Sequence, residues 1–262
     1  MHPHSLRAVV TGASSGIGAA FAAQLARDGY DVIIVARNRA RLETEAKQLR
    51  KEGAIAVEVI AADLTDAGDL QRVAKRLAEE RGLDLLVNNA GFGTTGAFAR
   101  LDPAKEEEEI RLNVVALVRL TRAALPRMIT RGHGAIINVS SMAAFQPGPY
   151  TATYGATKAF VNSFTEALHE ELRGTGVRVQ ALCPGFTRTA FQKRAGIDVS
   201  QIPSFVWMSP EAVVEASLAG LKRDEVVCVP GLANRALVTF TGVVPRSLTR
   251  RIAGTLGRRV LG

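Results

Sequence analysis

Tyr154 and Lys158 are the residues whose types and spacing point most directly to chemistry. They stand four apart in Tyr150-Thr151-Ala152-Thr153-Tyr154-Gly155-Ala156-Thr157-Lys158, a stretch with the composition of a helix start. On a helix that spacing stacks the two side chains on one face. A free phenol, with a pKa of about 10, exchanges protons poorly at neutral pH. An ammonium group one turn away favours the phenolate, so the phenol's pKa is expected to fall. Gly155 and Ala156 carry almost no side chain, which lets a flat ligand approach the helix. A pair of this kind also arises by chance, so its meaning depends on what the rest of the chain places around it.

The surrounding pattern alternates strands and helices. Apolar, strand-like runs are expected at Leu6 to Thr11, Asp31 to Arg37, Ala54 to Ala61, Asp84 to Val87, Ala135 to Ser140, Val177 to Cys183 and Val226 to Val229. Helices are expected between them: from Ala19 to Asp28, from Arg39 to Glu52, and from Asp63 or Thr65 to about Arg81. Asp102-Pro103 starts an unusually long one to about Thr130, Thr153 to Arg173 carries the opening pair, and Ser209-Pro210 caps the last, to about Arg223. This rhythm predicts an α/β fold: a doubly wound, mostly parallel, seven-stranded, Rossmann-like sheet with helices on both faces. Residues 1–230 are read as one catalytic domain, with a long connection at about 186–208 as a lid over the site. Residues 231–262 are read as a basic C-terminal helical appendage.

Thr11-Gly12-Ala13-Ser14-Ser15-Gly16-Ile17-Gly18 lies between the first strand and the first helix, where a dinucleotide pyrophosphate rests on a helix N-terminus. Gly12 permits the turn, Gly16 lets the ligand reach the backbone, and Gly18 lets the helix pack on the sheet. The second strand ends Val35-Ala36-Arg37, where an NAD site commonly carries an acid that holds the ribose hydroxyls. A guanidinium there binds a 2′-phosphate in a charge-assisted fork, and Arg39 is a candidate second contact. NADP(H) is therefore expected in preference to NAD(H).

In these motifs and their order the chain resembles the short-chain dehydrogenase/reductase family, over about residues 6 to 230. The resemblance rests on the TGxxxGxG turn, Asp63 after the third strand, Asn88-Asn89-Ala90-Gly91, Asn113 in the long helix, and Ser141 thirteen residues before Tyr154. Pro184-Gly185 and Thr189 complete the set. The resemblance implies that Tyr154 is the general acid or base, and that Lys158 also holds the nicotinamide ribose. It implies that Ser141, rather than its neighbour Ser140, hydrogen-bonds the substrate oxygen, and that Asn113 kinks its helix and holds a proton-relaying water. It further implies that Asp63 and Leu64 contact the adenine, that Asn89, Ala90 and Gly91 line the cofactor cleft, and that Pro184, Gly185, Thr187 and Thr189 meet the nicotinamide end.

The remaining expectations concern substrate and surroundings. Phe92, Phe145, Gln146, Phe186, Phe191, Phe205 and Trp207 are candidate pocket residues, an apolar set suited to a hydrophobic ketone, aldehyde or secondary alcohol. Cys183 and Cys228 sit in apolar runs without CxxC spacing and are read as buried thiols; no metal site is expected. The net charge of +8 raises nucleic-acid binding, but Arg235, Arg246, Arg250, Arg251, Arg258 and Arg259 place most of the excess after Gly231, which argues against it. Leu248, Ile252, Leu256 and Val260 form an apolar stripe beside those arginines, suited to covering the cleft, to a subunit interface or to weak peripheral membrane contact. No apolar run is long enough for a membrane span and none marks a signal peptide, so a cytoplasmic homodimer or homotetramer is expected. Two other classes compete: a non-catalytic dinucleotide-binding sensor or scaffold, and a membrane-surface adaptor acting through the tail.

Overall fold

Runs of Val, Ile, Leu and Ala this continuous suit strands covered on both faces. In the computed structural model, which describes residues 6–53, 56–196 and 203–243, seven such strands form. They are β1 (Arg7–Thr11), β2 (Asp31–Ala36), β3 (Val57–Ala61), β4 (Leu83–Asn88), β5 (Gly134–Val139), β6 (Val177–Leu182) and β7 (Val227–Cys228). They pair in the order β3-β2-β1-β4-β5-β6-β7, every pairing parallel, which is the expected doubly wound sheet. The strand order reverses between β1 and β4. A crevice therefore opens beyond their C-terminal ends, where open α/β sheets hold ligands.

The helices are α1 (Gly16–Arg27), α2 (Arg39–Glu52), α3 (Ala67–Glu79), α4 (Pro103–Ile110), α5 (Leu117–Arg131), α6 (Ala152–Glu171), α7 (Phe191–Arg194), α8 (Pro210–Lys222) and α9 (Leu232–Val243). Side chains alternate across a strand, so β1 feeds two cores. Ala8 and Val10 pack with Phe21 and Leu25 of α1, Leu42 of α2 and Val213 of α8. Val9 packs on the opposite face with Val73 of α3, Leu120 of α5 and Leu168 of α6. Cys183 and Cys228 are free and buried.

Several boundaries move for identifiable reasons. α1 starts at Gly16, three residues before the expected Ala19, because the glycine turn itself supplies the first helical turn. α3 starts after Asp66, whose side chain accepts from Asp69 N at 2.8 Å, while Asp63 is taken up in a local turn with Thr65. The long helix runs unbroken from Pro103 to Arg131, but Arg111–Ala116 is a π-helical segment, and Asn113 sits in it. The connection at 186–208 holds α7 and a 3₁₀ turn at Ser204–Val206, and its base is closed by Thr187 pairing with Met208. The first two residues of the expected third strand lie outside the described residues. So do the tail stripe Leu248, Ile252, Leu256 and Val260, every tail arginine beyond Arg235, and the side chain of Phe205. No described helix is long and apolar enough to cross a membrane.

Candidate active site

The glycine turn is pinned by one asparagine. Asn89 donates from Nδ2 to Thr11 O at 2.8 Å and to Gly12 O at 3.3 Å, and Thr11 Oγ1 accepts from the amides of Asn89 and Ala90. Gly12 and Gly16 have φ of +66° and +60°, in the left-handed region that glycine enters without strain. Ser15 precedes α1 without a side-chain cap, and the helix's first turn has no acid. Its leading amides and dipole therefore suit an anion, which is the fit a pyrophosphate requires. Ser14, Ser15, Gly16 and Ile17 line a cavity of about 1210 Å³ that begins here. Gly18 does not line it and serves instead as the contact between α1 and the turn.

At the end of β2 the cavity meets Arg37, Asn38 and Arg41. Arg39, expected as the second phosphate contact, turns away to Glu43 at 3.7 Å. Arg41 lines the cavity instead: Asn38 caps α2, accepting from Arg41 N at 3.0 Å, and residues 38 and 41 share the face of the first turn. That i, i+3 relation was available in the sequence. Asp63 lines the cavity with Leu64, but its carboxylate is engaged: Oδ1 accepts from Thr65 N and Oγ1, and Oδ2 lies 3.9 Å from Arg37 Nη1.

At the other end α6 presents Tyr154 and Lys158 to the cavity beside Ser141. The Tyr154 ring packs against Gly93, where a Cβ would come within 2.8 Å, and against Phe191 with ring centroids 5.5 Å apart. Its hydroxyl is influenced by Ser141, whose Oγ accepts from Ala143 N at 3.1 Å. Ser140 is turned inward, donating to Lys158 O at 3.0 Å, so the structure separates the two serines. Lys158 Nζ donates to Val139 O at 2.8 Å and lies 5.7 Å from the Tyr154 ring centroid. Asn113 Nδ2 donates to Phe92 O and Thr157 Oγ1, and Oδ1 accepts from Phe92 N, fixing the segment after β4 to the π turn.

Burial reverses one expectation. The Tyr154 phenol is pushed up to about 12, chiefly by desolvation and despite the lowering influence of Ser141, rather than pulled down. Desolvation also lowers Lys158 to about 8, with Glu109 opposing it. Both charged forms are costly in the same buried place, and the ammonium meant to stabilise the phenolate is itself drawn toward neutrality. Stability should register this. Below about 8, folded and unfolded chains both hold the lysine proton; between about 8 and 10.5 only the unfolded chain does, so stability rises with pH. Tyr154 acts in the opposite sense above 10, where the unfolded phenol ionises first. The unfolding free energy of the cofactor-free protein, from urea titrations, should therefore climb from pH 8 to 10 relative to a Lys158→Met variant, by about 2 kcal/mol. A pH-independent difference would contradict the lowered lysine.

The expected pocket aromatics divide. Phe186 and Phe191 line the cavity, and Trp207 packs against Phe186 with centroids 5.5 Å apart without lining it. Phe145 joins the cluster of Ala181, Cys183 and Val229, and Phe92 and Gln146 lie off the lining. In their place Met142, Thr151, Val206, Asn234 and Leu237 contribute. Asn234 and Leu237 come from α9, and a Cβ on Gly185 would lie 2.8 Å from Asn234 Nδ2, so α9 covers the Pro184-Gly185 turn. No spacing in the sequence signals that contact. Pro184, Gly185, Thr187 and Thr189 all line the cavity, as do Asn89, Ala90 and Gly91.

Comparison with known proteins settles the family. The family described as short chain dehydrogenase matches residues 7–199. The chain belongs to the short-chain dehydrogenase family. A short-chain dehydrogenase from Sphingobium yanoikuyae, solved in complex with NADPH, is 39% identical with a TM-score of 0.83, over 92% of this chain and 97% of that one. The bulky-bulky ketone specific alcohol dehydrogenase from Comamonas testosteroni is 34% identical with a TM-score of 0.79, over 93% and 96%. Very-long-chain 3-oxoacyl-CoA reductase from Anas platyrhynchos is 32% identical over 229 residues, 85% of this chain and 72% of that protein. Short-chain dehydrogenases are oxidoreductases that bind nicotinamide cofactors and act on CH–OH or C=O groups, and the matched region spans both ends of the cavity.

Proposed function

We propose that this chain is an NADP(H)-dependent oxidoreductase acting between a bulky hydrophobic ketone or aldehyde and its alcohol. The observation that carries this reading is that one cavity runs from Arg37 and Arg41 to Tyr154, Ser141 and Lys158. Bound nicotinamide supplies or accepts a hydride at its C4. Gly12, Ser14, Ser15, Gly16 and Ile17 bind the pyrophosphate, and Arg37 with Arg41 forks the 2′-phosphate. Asp63 and Leu64 border the adenine; Asn89, Ala90 and Gly91 wall the cleft; Pro184, Gly185, Thr187 and Thr189 orient the nicotinamide end.

Tyr154 holds the proton that the substrate oxygen receives in reduction and removes it in oxidation. Ser141 donates a hydrogen bond to that oxygen as negative charge grows on it. Lys158 holds the ribose hydroxyls and biases Tyr154. Asn113 keeps one acceptor lone pair on Oδ1, and a Cβ at Gly91 would lie 2.9 Å from that atom and 3.6 Å from Lys158 Nζ. The space left by glycine suits a bridging water, the proposed proton exit. Phe186, Phe191, Val206 and Leu237 offer the substrate an apolar wall, and the bulky-ketone specificity named for the Comamonas enzyme supports that class. Exposed Ile110, Val115 and Phe160 on the long helices, with Phe160 stacked on Phe164, support a homo-oligomer built through those faces.

The test is nucleotide consumption with bulky aryl ketones. NADPH should be used in preference to NADH, and Arg37→Asp should lower kcat/KM for NADPH by about tenfold to a hundredfold, the loss of a charge-assisted pair. A wild-type preference for NADH would overturn the cofactor assignment, and no turnover with either nucleotide would overturn the reaction.

A further inference from the structure

Lys158 is 5% exposed, and among the described residues no carboxylate forms an ion pair with it. Its titratable neighbours Tyr154 and Cys183 are each pushed up to about 12 by burial and stay neutral. The acidic side chain that acts on it is Glu109, one turn before Asn113 and 0% exposed. Glu106, three residues earlier, is also buried. Thr94 lies between the two carboxyl groups. Its amide donates to Glu109 Oε2 at 2.8 Å, and its Oγ1 is 2.5 Å from Glu106 Oε1 and 2.8 Å from Glu109 Oε2. Thr153, immediately before Tyr154, adds its hydroxyl to Glu106 Oε2.

Proton counting constrains this cluster. A hydroxyl carries one proton, so Thr94 Oγ1 can donate to one carboxyl oxygen, and the other at that distance must bring its own proton. Two buried carboxylates this close disfavour joint ionisation strongly. Glu109 Oε1 also has no hydrogen-bond partner among the described residues, a costly state for a buried full charge. Burial and Glu106 raise the Glu109 pKa, in the same direction as the geometry.

We propose that Glu106 and Glu109 share a single proton across Thr94, and that the one negative charge left on the pair is the counter-charge that keeps Lys158 protonated. The second half rests on the role proposed for Lys158 in the reaction. Both glutamates are positioning residues, since neither lines the cavity. The pair separates two quantities that a lone counter-ion would combine. Replacing either glutamate by glutamine removes the shared proton and leaves one charge, whereas replacing both removes the charge.

Infrared spectra of the wild-type protein at neutral pH should show the C=O stretch of a buried protonated carboxyl, lost in Glu106→Gln and in Glu109→Gln. The Cε resonance of Lys158, assigned by its absence from Lys158→Arg, should titrate about one pH unit lower in the double glutamine variant, with a much smaller shift in either single variant. The alkaline limb of kcat/KM with NADPH and a bulky ketone should move with it. No carboxyl band in wild type, or a single variant that shifts Lys158 as far as the double, would overturn the proposal. The infrared and resonance readouts need no turnover, so they remain decisive if the reaction assigned above is wrong. If the double variant does not fold, the two single variants decide.

Discussion

Tyr154→Phe should lower kcat for carbonyl reduction by about 10²- to 10⁴-fold, the range lost with a positioned proton donor, while leaving NADPH affinity essentially unchanged. The substitution removes one oxygen and little else. The ring keeps its contacts with Gly93 and Phe191, Ser141 keeps the Ala143 amide, and Lys158 keeps Val139 O. With the phenol pushed up to about 12, Tyr154 is neutral at ordinary pH and ready to give a proton. Neither serine can stand in for it, because Ser140 is turned to Lys158 O and the Ser141 hydroxyl is a far weaker acid. Stopped-flow reduction with matched NADPH titrations separates the two quantities. Full turnover in the variant would remove Tyr154 from the chemistry; loss of NADPH binding in parallel with kcat would mean that the ring shapes the cleft.

Gly18→Ala should destabilise the protein by about 3 kcal/mol, combining overpacking with a lost hydrogen bond, and should weaken NADPH binding at least tenfold. A Cβ at position 18 would stand 2.4 Å from Asn89 Nδ2 and 2.4 Å from Gly12 O. The first neighbour is the amide that pins the turn and the second is turn backbone, so neither can yield without opening the glycine turn. Gly29→Ala is the control. A Cβ there meets nothing within 4 Å, and its φ of +82° leaves only backbone strain, about 1–2 kcal/mol. Thermal melting and NADPH titration of both variants give the comparison, and a Gly18→Ala protein that melts and binds like wild type would contradict the packing.

Much of this was legible in the chain because its signals are local. The strand-turn-helix glycine motif, the apolar strands and the Tyr154-Lys158 spacing each depend on residues within a few positions, where backbone sterics and side-chain periodicity act directly. Arg41 is legible in principle, since it shares a helix face with Asn38, whereas closeness in sequence to Arg37 favours Arg39. The pocket is less legible. Phe145 and Gln146 are near Ser141 in sequence, and Phe92 directly follows Gly91, yet all three lie off the cavity lining, while Asn234 and Leu237, some eighty residues from Tyr154, reach it.

From its sequence alone, then, this protein's sheet, the glycine turn after β1 and the shared helix face of Tyr154 and Lys158 follow, because each is written in spacing along one element. Tertiary structure alone decided the charge states and the company those residues keep. Burial set Tyr154 and Lys158 near 12 and 8, against the direction expected of an isolated pair. Packing of the π turn against the segment after β4 brought Glu106, Glu109 and Thr94 together beside them. Desolvation and proton sharing depend on which chains meet in space, and spacing along the chain does not encode that.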